Sequence, residues 1–340
     1  MFDVVSPYRL YYNKKRLSAL RRYIMKTKSK LLTLLILSAS TAAATAVINK
    51  FVKLSASSKN ILSDAKSLCY KWRFGNIHYT KSGTGKPLLL IHDLTAYSNG
   101  YEWNSMISLL KEQYTVYTID LLGCGRSEKP DLTYTNYLYV QMISDFIKSE
   151  IGHRTNVIAT GASSALALMA CNNAPELFDQ IMLINPESLM TCSQIPNNHS
   201  KVYKFILDLP ILGTLLYHIS VSKQSITEEF SRNYYFNPYS VKSSIIDAYY
   251  ESAHLGESPK SLYASVKCNY TKCNVTNALK KINNSIYITG GEEMDRINEV
   301  ITEYQKYNPA IESSLVPKSK YLPQLENPNS LYQIIQMYFL

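Results

Sequence analysis

From residue 88 onward the chain alternates short apolar runs with stretches of helical period, and that alternation leaves few folds open. Runs at 88–92, 115–120, 156–160, 180–185, 285–289 and 313–316 are too short for helices and mostly apolar, the mark of strands covered on both faces. Helical periods fall between them, near 102–113, 136–150, 163–173 and 294–307. This order predicts an α/β protein built on a mostly parallel, doubly wound sheet. Upstream, residues 71–74 and 77–80 alternate about Gly75-Asn76, so an antiparallel hairpin is expected to open the sheet. Residues 188–280 interrupt the alternation with Tyr-rich helical segments. An insertion between two strands reads as a helical cap over the carboxyl edge of the sheet, where open α/β sheets bind ligands. The core is therefore expected in two parts, 67–187 and 281–340.

The net charge of +10 suggests an anionic partner until its location is considered. Residues 1–59 hold 12 Lys/Arg against one acid, so the remainder is close to neutral and carries no nucleic-acid footprint. After a basic segment over 1–30, residues 31–48 form an uncharged apolar stretch, followed by a linker over 49–66. A basic lead, a Leu-rich centre and a small-residue end fit a transmembrane signal-anchor, or a signal peptide cut near Ala44-Thr45-Ala46. The surplus of Lys/Arg on its amino side favours an N-terminus inside and a domain outside, secreted if the segment is cleaved. The expectation adopted is a retained anchor with an extracytoplasmic domain. The six cysteines have no CxxC spacing and no histidine at zinc-ligand distance, so neither a metal nor a cofactor is expected. Gly83-Thr84-Gly85-Lys86 lacks the first glycine of a phosphate loop, and Pro87 follows its lysine.

Directly after the run at 115–120 comes Asp120-Leu121-Leu122-Gly123-Cys124-Gly125-Arg126-Ser127-Glu128-Lys129-Pro130. It resembles the Asp-x-x-Gly-x-Gly-x-Ser-x-x-Pro signature of the α/β-hydrolase superfamily, and further pieces follow in the family's order over about 70–335. The resemblance implies an α/β-hydrolase fold and, if active, a serine esterase or lipase-like enzyme acting on a small-molecule ester or acyl substrate. Gly161-Ala162-Ser163-Ser164-Ala165 is similar to the nucleophile elbow, which puts Ser163 at the nucleophile position. Backbone N–H groups of Leu94 and Ser164 would then form the oxyanion hole.

Three positions depart from the family. The usual His-Gly of the oxyanion loop is His92-Asp93, which places a carboxylate where negative charge develops. The acid region Gly290-Gly291-Glu292-Glu293-Met294-Asp295 has one residue too many; Asp295 is the candidate, with Glu292, Glu293 and Glu187 competing. Around Lys320-Tyr321-Leu322-Pro323-Gln324-Leu325-Glu326, the position of the catalytic histidine falls on Tyr321. A phenol titrating near pH 10 is a poor proton acceptor at neutral pH. His254, in the cap, is the substitute base that could reach down. Two readings follow: a membrane-associated fold that hydrolyses weakly or not at all and binds a ligand or partner, or a working serine hydrolase with an unusual base.

Overall fold

The computed structural model describes residues 39–40, 43–63 and 67–339. The basic segment 1–30 and most of the apolar stretch 31–48 lie outside the described residues. The chain divides into two units, 1–51 and 52–340. In the first unit, 43–51 is helical. In the second, the helix continues to 56 and a 3-10 turn at Ser57–Lys59 follows, so much of the expected linker is ordered helix. Among the described residues no single helix is long and apolar enough to cross a membrane.

Eight strands form one sheet: β1 (Ser67–Trp72), β2 (Gly75–Ser82), β3 (Lys86–Ile91), β4 (Tyr114–Ile119), β5 (Thr155–Thr160), β6 (Phe178–Ile184), β7 (Ser285–Gly291) and β8 (Glu312–Val316). Their order is β1-β2-β4-β3-β5-β6-β7-β8. The β1–β2 and β2–β4 pairs are antiparallel and the rest parallel, as the opening hairpin and the buried runs imply. The hairpin turn differs from expectation: Trp72 pairs with Gly75, so Arg73-Phe74 make the turn and Gly75 opens β2. A Cβ at Gly75 would stand 2.7 Å from Glu128 Oε2, which explains a glycine there.

Period-two alternation decides which layer each side chain joins. Leu89, Ile91, Val157, Ala159 and Ile288 enter one core, while Leu88, Leu90, Ile158, Met182 and Tyr287 enter the other. Residues 88–91 are wholly buried, and each such side chain contributes about 1.5–3 kcal/mol through lost contact with water. Between β6 and β7 lies the helical insertion, including Asn198–Asp208, Leu212–Ser220, Lys223–Glu229, Ser243–His254 and Pro259–Lys267.

The loop after β4 is held by Asp120. Its Oδ1 accepts from Gly100 N–H at 2.7 Å and its Oδ2 from Arg126 N–H at 2.9 Å, with His78 Nδ1 at 3.2 Å. Burial pushes this carboxyl up, but the His78 contact and the Arg126 N–H outweigh it and hold the group at about 2. At Gly125, where φ is +49°, a Cβ would fall 2.2 Å from Asp120 Oδ2, so the second glycine of the signature makes room for the carboxylate.

Candidate active site

The strand-to-helix turn after β5 is where this fold would mount a nucleophile. β5 ends at Thr160, Gly161 N–H donates to Ile184 O at 2.9 Å, and the next helix is Ser163–Asn173. The left-handed residue between them, at φ +54°, is Gly161. An elbow nucleophile stands on that strained residue, and the N–H that follows it supplies half of the oxyanion hole. Ser163 is two residues further on. It is fully buried as the first residue of the helix, and its Oγ donates to His92 O at 2.6 Å. The expected register is therefore corrected: Gly161, with no side chain, occupies the turn. The two frames look alike in sequence: Gly161-Ala162-Ser163-Ser164-Ala165 and Ala159-Thr160-Gly161-Ala162-Ser163 both carry small residues two positions either side of their centre.

The two N–H groups expected as oxyanion donors do not converge. Leu94 N–H points into the site, whereas Ser164 N–H donates to Gly161 O at 3.1 Å and its place is taken by Ala162 N–H. Both converging groups are already satisfied by one atom: Asp93 Oδ1 accepts from Leu94 N–H at 2.8 Å and from Ala162 N–H at 2.9 Å. The carboxyl turns into the donor pair and gives two converging N–H groups a single acceptor oxygen.

Tyr321 completes the arrangement, its hydroxyl donating to Asp93 Oδ2 at 2.9 Å. A Cβ built on Gly161 would lie 2.2 Å from Tyr321 Oη and 2.4 Å from Asp93 Oδ1, so the space for a nucleophile's side chain is filled. Burial raises the Asp93 carboxyl, opposed by the Ala162 N–H, the Tyr321 hydroxyl and the Leu94 N–H. Burial, followed by the charges of Asp93 and Glu187, drives the Tyr321 phenol well above its usual range, which leaves it a donor and no base.

The acid candidates do not meet this group. Asp295, Glu292 and Glu293 are exposed on the segment after β7. Glu187 is half-buried and paired with Lys272 Nζ. Among the described residues no substitute base reaches the turn either. His254 donates from Nδ1 to Tyr250 O at 2.8 Å, stacks on His218 at 5.4 Å, and is pushed down to about 4 by burial. Both nitrogens of His92 are occupied, by Asp93 O at 2.6 Å and Leu121 N–H at 3.0 Å. Among the described residues no His/Cys/Asp/Glu group could hold a metal ion.

Glu102 is a participant that sequence reasoning missed. It is wholly buried beside the elbow: Oε1 accepts from Thr160 Oγ1 at 2.7 Å, and Oε2 meets Tyr249 Oη at 3.1 Å. Burial pushes its carboxyl up to about 8. The available signal was an acid set directly beside Trp103 and close to Met106, both core residues. Above it the cap closes with aromatic rings. Tyr234 stacks on Tyr321 at 4.9 Å and reaches Tyr97 Oη at 3.3 Å, while Phe230 packs edge-on against Tyr249.

The sheet, the turn after β5 and the helical insertion define an α/β-hydrolase-fold protein. Residues 86–208 match the alpha/beta hydrolase fold family. A 2-hydroxy-6-oxo-6-(2'-aminophenyl)hexa-2,4-dienoic acid hydrolase of Metapseudomonas resinovorans is 28% identical over 137 residues, 38% of this chain and 47% of the relative. A soluble epoxide hydrolase of Corynebacterium sp. strain C12 is 28% identical over 110 residues, 32% of this chain and 37% of the relative. These matches span less than half the length of either relative. Among solved structures, a serine hydrolase involved in carbazole degradation superposes with a TM-score of 0.65 at 15% identity, covering 80% of this chain and 98% of its own. The Bacillus subtilis carboxylesterase CesB gives 0.64 at 14% identity, over 87% of this chain and 98% of its own.

Proposed function

We propose that this chain is a hydrolase fold that no longer hydrolyses and serves as a ligand- or partner-binding module at a membrane. The observation that carries the reading is Asp93 Oδ1, bound by both oxyanion N–H groups at 2.8 and 2.9 Å beside a turn residue, Gly161, that has no side chain. An ester carbonyl would have to displace the protein's own carboxylate and would then find no nucleophile on the turn. Tyr321, in the position of the base, donates a hydrogen bond to Asp93 and keeps its own proton. A fluorophosphonate probe is therefore expected to leave the folded wild-type protein unlabelled. Labelling that disappears in Ser163→Ala would reverse the conclusion.

The other reading is an active serine hydrolase on a carboxylic ester or acyl substrate. It is favoured by relatives named as hydrolases, and by Ser163 remaining near the elbow. It requires the helix start to rearrange so that Ser163 leaves its bond to His92 O. Membrane association rests on the uncharged stretch 31–48 and the nine Lys/Arg before it. Full-length protein is expected in the membrane fraction without detergent, and a version beginning at Ser63 in the soluble fraction. Full-length protein that is uncleaved and wholly soluble would overturn the anchor.

A further inference from the structure

We infer that the cap carries a second membrane contact, an apolar ridge that lies on an anionic phospholipid surface. This deepens the membrane association proposed above and relies on that reading for the presence of a bilayer. The ridge is the bent pair Asn198–Asp208 and Leu212–Ser220, whose axes meet at 99°. Val202, Phe205, Ile211, Leu212, Leu215 and Ile219 are all exposed on it, with Phe205 at 67% and Ile219 at 59%. A soluble surface seldom gathers so many large apolar side chains on two consecutive helices, and such a gathering marks a contact site.

The exposure does not come from loose packing. At 212, 215 and 219 the apolar residues share one helical face, while Thr214, Tyr217 and Val221 are buried on the other. Leu207, Tyr217 and Val221 pack with Ala253, Tyr263 and Ala264, and Tyr217 Oη donates to Ala253 O. The bend itself is built in: a Cβ at Gly213 would stand 1.8 Å from Leu207 O, and Thr214 Oγ1 donates to Pro210 O at 2.6 Å. A pair bent this sharply suits lying in the interface better than crossing it.

Charge selects the occupant. Over 198–220 the charged side chains are Lys201, Lys204 and Asp208, and Asp208 is neutralised by Lys204 at 2.8 Å. Lys201 is exposed one residue from Val202, and Lys260 Nζ lies 3.2 Å from both Asp208 O and Leu209 O at the bend. The ridge thus presents apolar side chains with a surplus of ammonium groups beside them and no unpaired acid. That combination matches acyl chains beneath negatively charged headgroups.

The test is hydrogen–deuterium exchange on the full chain, reading peptides over 198–220. Phosphatidylcholine vesicles with phosphatidylglycerol are compared with phosphatidylcholine vesicles alone and with detergent solution. Exchange on the ridge should slow by about tenfold on the anionic vesicles, and Phe205→Glu/Leu215→Glu should abolish the slowing. Both positions are exposed, so unchanged protection of Ser243–His254 verifies that the variant cap is folded. A vesicle-bound chain whose ridge exchanges as fast as in detergent overturns this contact and leaves the N-terminal anchor standing. A chain that does not bind vesicles overturns both. Protection already present in detergent would mean that a second copy or the chain's own N-terminal segment covers the ridge, and equal protection on neutral vesicles would overturn the anionic assignment.

Discussion

The triple variant Asp93→Gly/Gly161→Ser/Tyr321→His is expected to hydrolyse p-nitrophenyl acetate about 10²–10⁴-fold faster than wild type, the range a positioned general base supplies. Each change removes one obstacle. Gly161→Ser puts a hydroxyl on the left-handed turn, Asp93→Gly frees the N–H groups of Leu94 and Ala162, and Tyr321→His supplies a proton acceptor. The charge of Glu187 is felt at position 321, although its carboxylate is paired with Lys272. The changes are interdependent. A Cβ at 161 already meets Tyr321 Oη at 2.2 Å and Asp93 Oδ1 at 2.4 Å, so Gly161→Ser alone overpacks the site, at about 1–3 kcal/mol, without gaining activity. Tyr321→His alone gains a base with no nucleophile beside it. If that single variant became an esterase, Ser163 would be the nucleophile and the turn assignment would fail. A folded triple variant at the wild-type rate would also sink the assignment.

The strands were legible because apolar runs and helical periods report burial directly, and the eight-stranded sheet follows that order. Tyr321 stood out in the sequence because Pro323 and Glu326 hold its register, and its hydroxyl meets the Asp93 carboxyl. Asp93 was half legible: the sequence placed a charge at the oxyanion loop, but its direction depends on a χ rotation that no pattern encodes. The elbow residue was misjudged because a serine after Gly-x satisfies the motif, whereas the deciding property is one backbone dihedral. That dihedral depends on where β5 leaves the sheet, which follows from its pairing with β6, and here the exit comes at Thr160. Glu102 left only the faint signal of its place beside Trp103, since its burial is completed by cap residues such as Tyr249, 147 positions away.

Glu102→Gln should stabilise the protein, and by an amount that grows with pH. The carboxyl rises from an ordinary value of 4.5 to about 8, chiefly because burial penalises its charged form. A raised folded-state value means the unfolded chain ionises first. Stability from the neutral carboxyl is complete below about pH 4.5 and is lost as pH climbs through about 8. Each tenfold difference in proton affinity between the folded and unfolded chain is worth about 1.4 kcal/mol, so the loss by pH 8 is roughly 4 kcal/mol. Glutamine imitates the protonated acid: its carbonyl accepts from Thr160 Oγ1 and Gln324 Nε2, and its amide donates to Tyr249 Oη. Urea unfolding should therefore find variant and wild type nearly equal at pH 5, and the variant several kcal/mol more stable at pH 8. Asp93, Glu251 and Glu326, whose carboxyls burial raises in the same direction, contribute to whatever slope survives in the variant. A difference that stays constant from pH 5 to 8 would mean Glu102 is not held neutral, and the buried carboxylate would then need a cation that none of its described partners supplies.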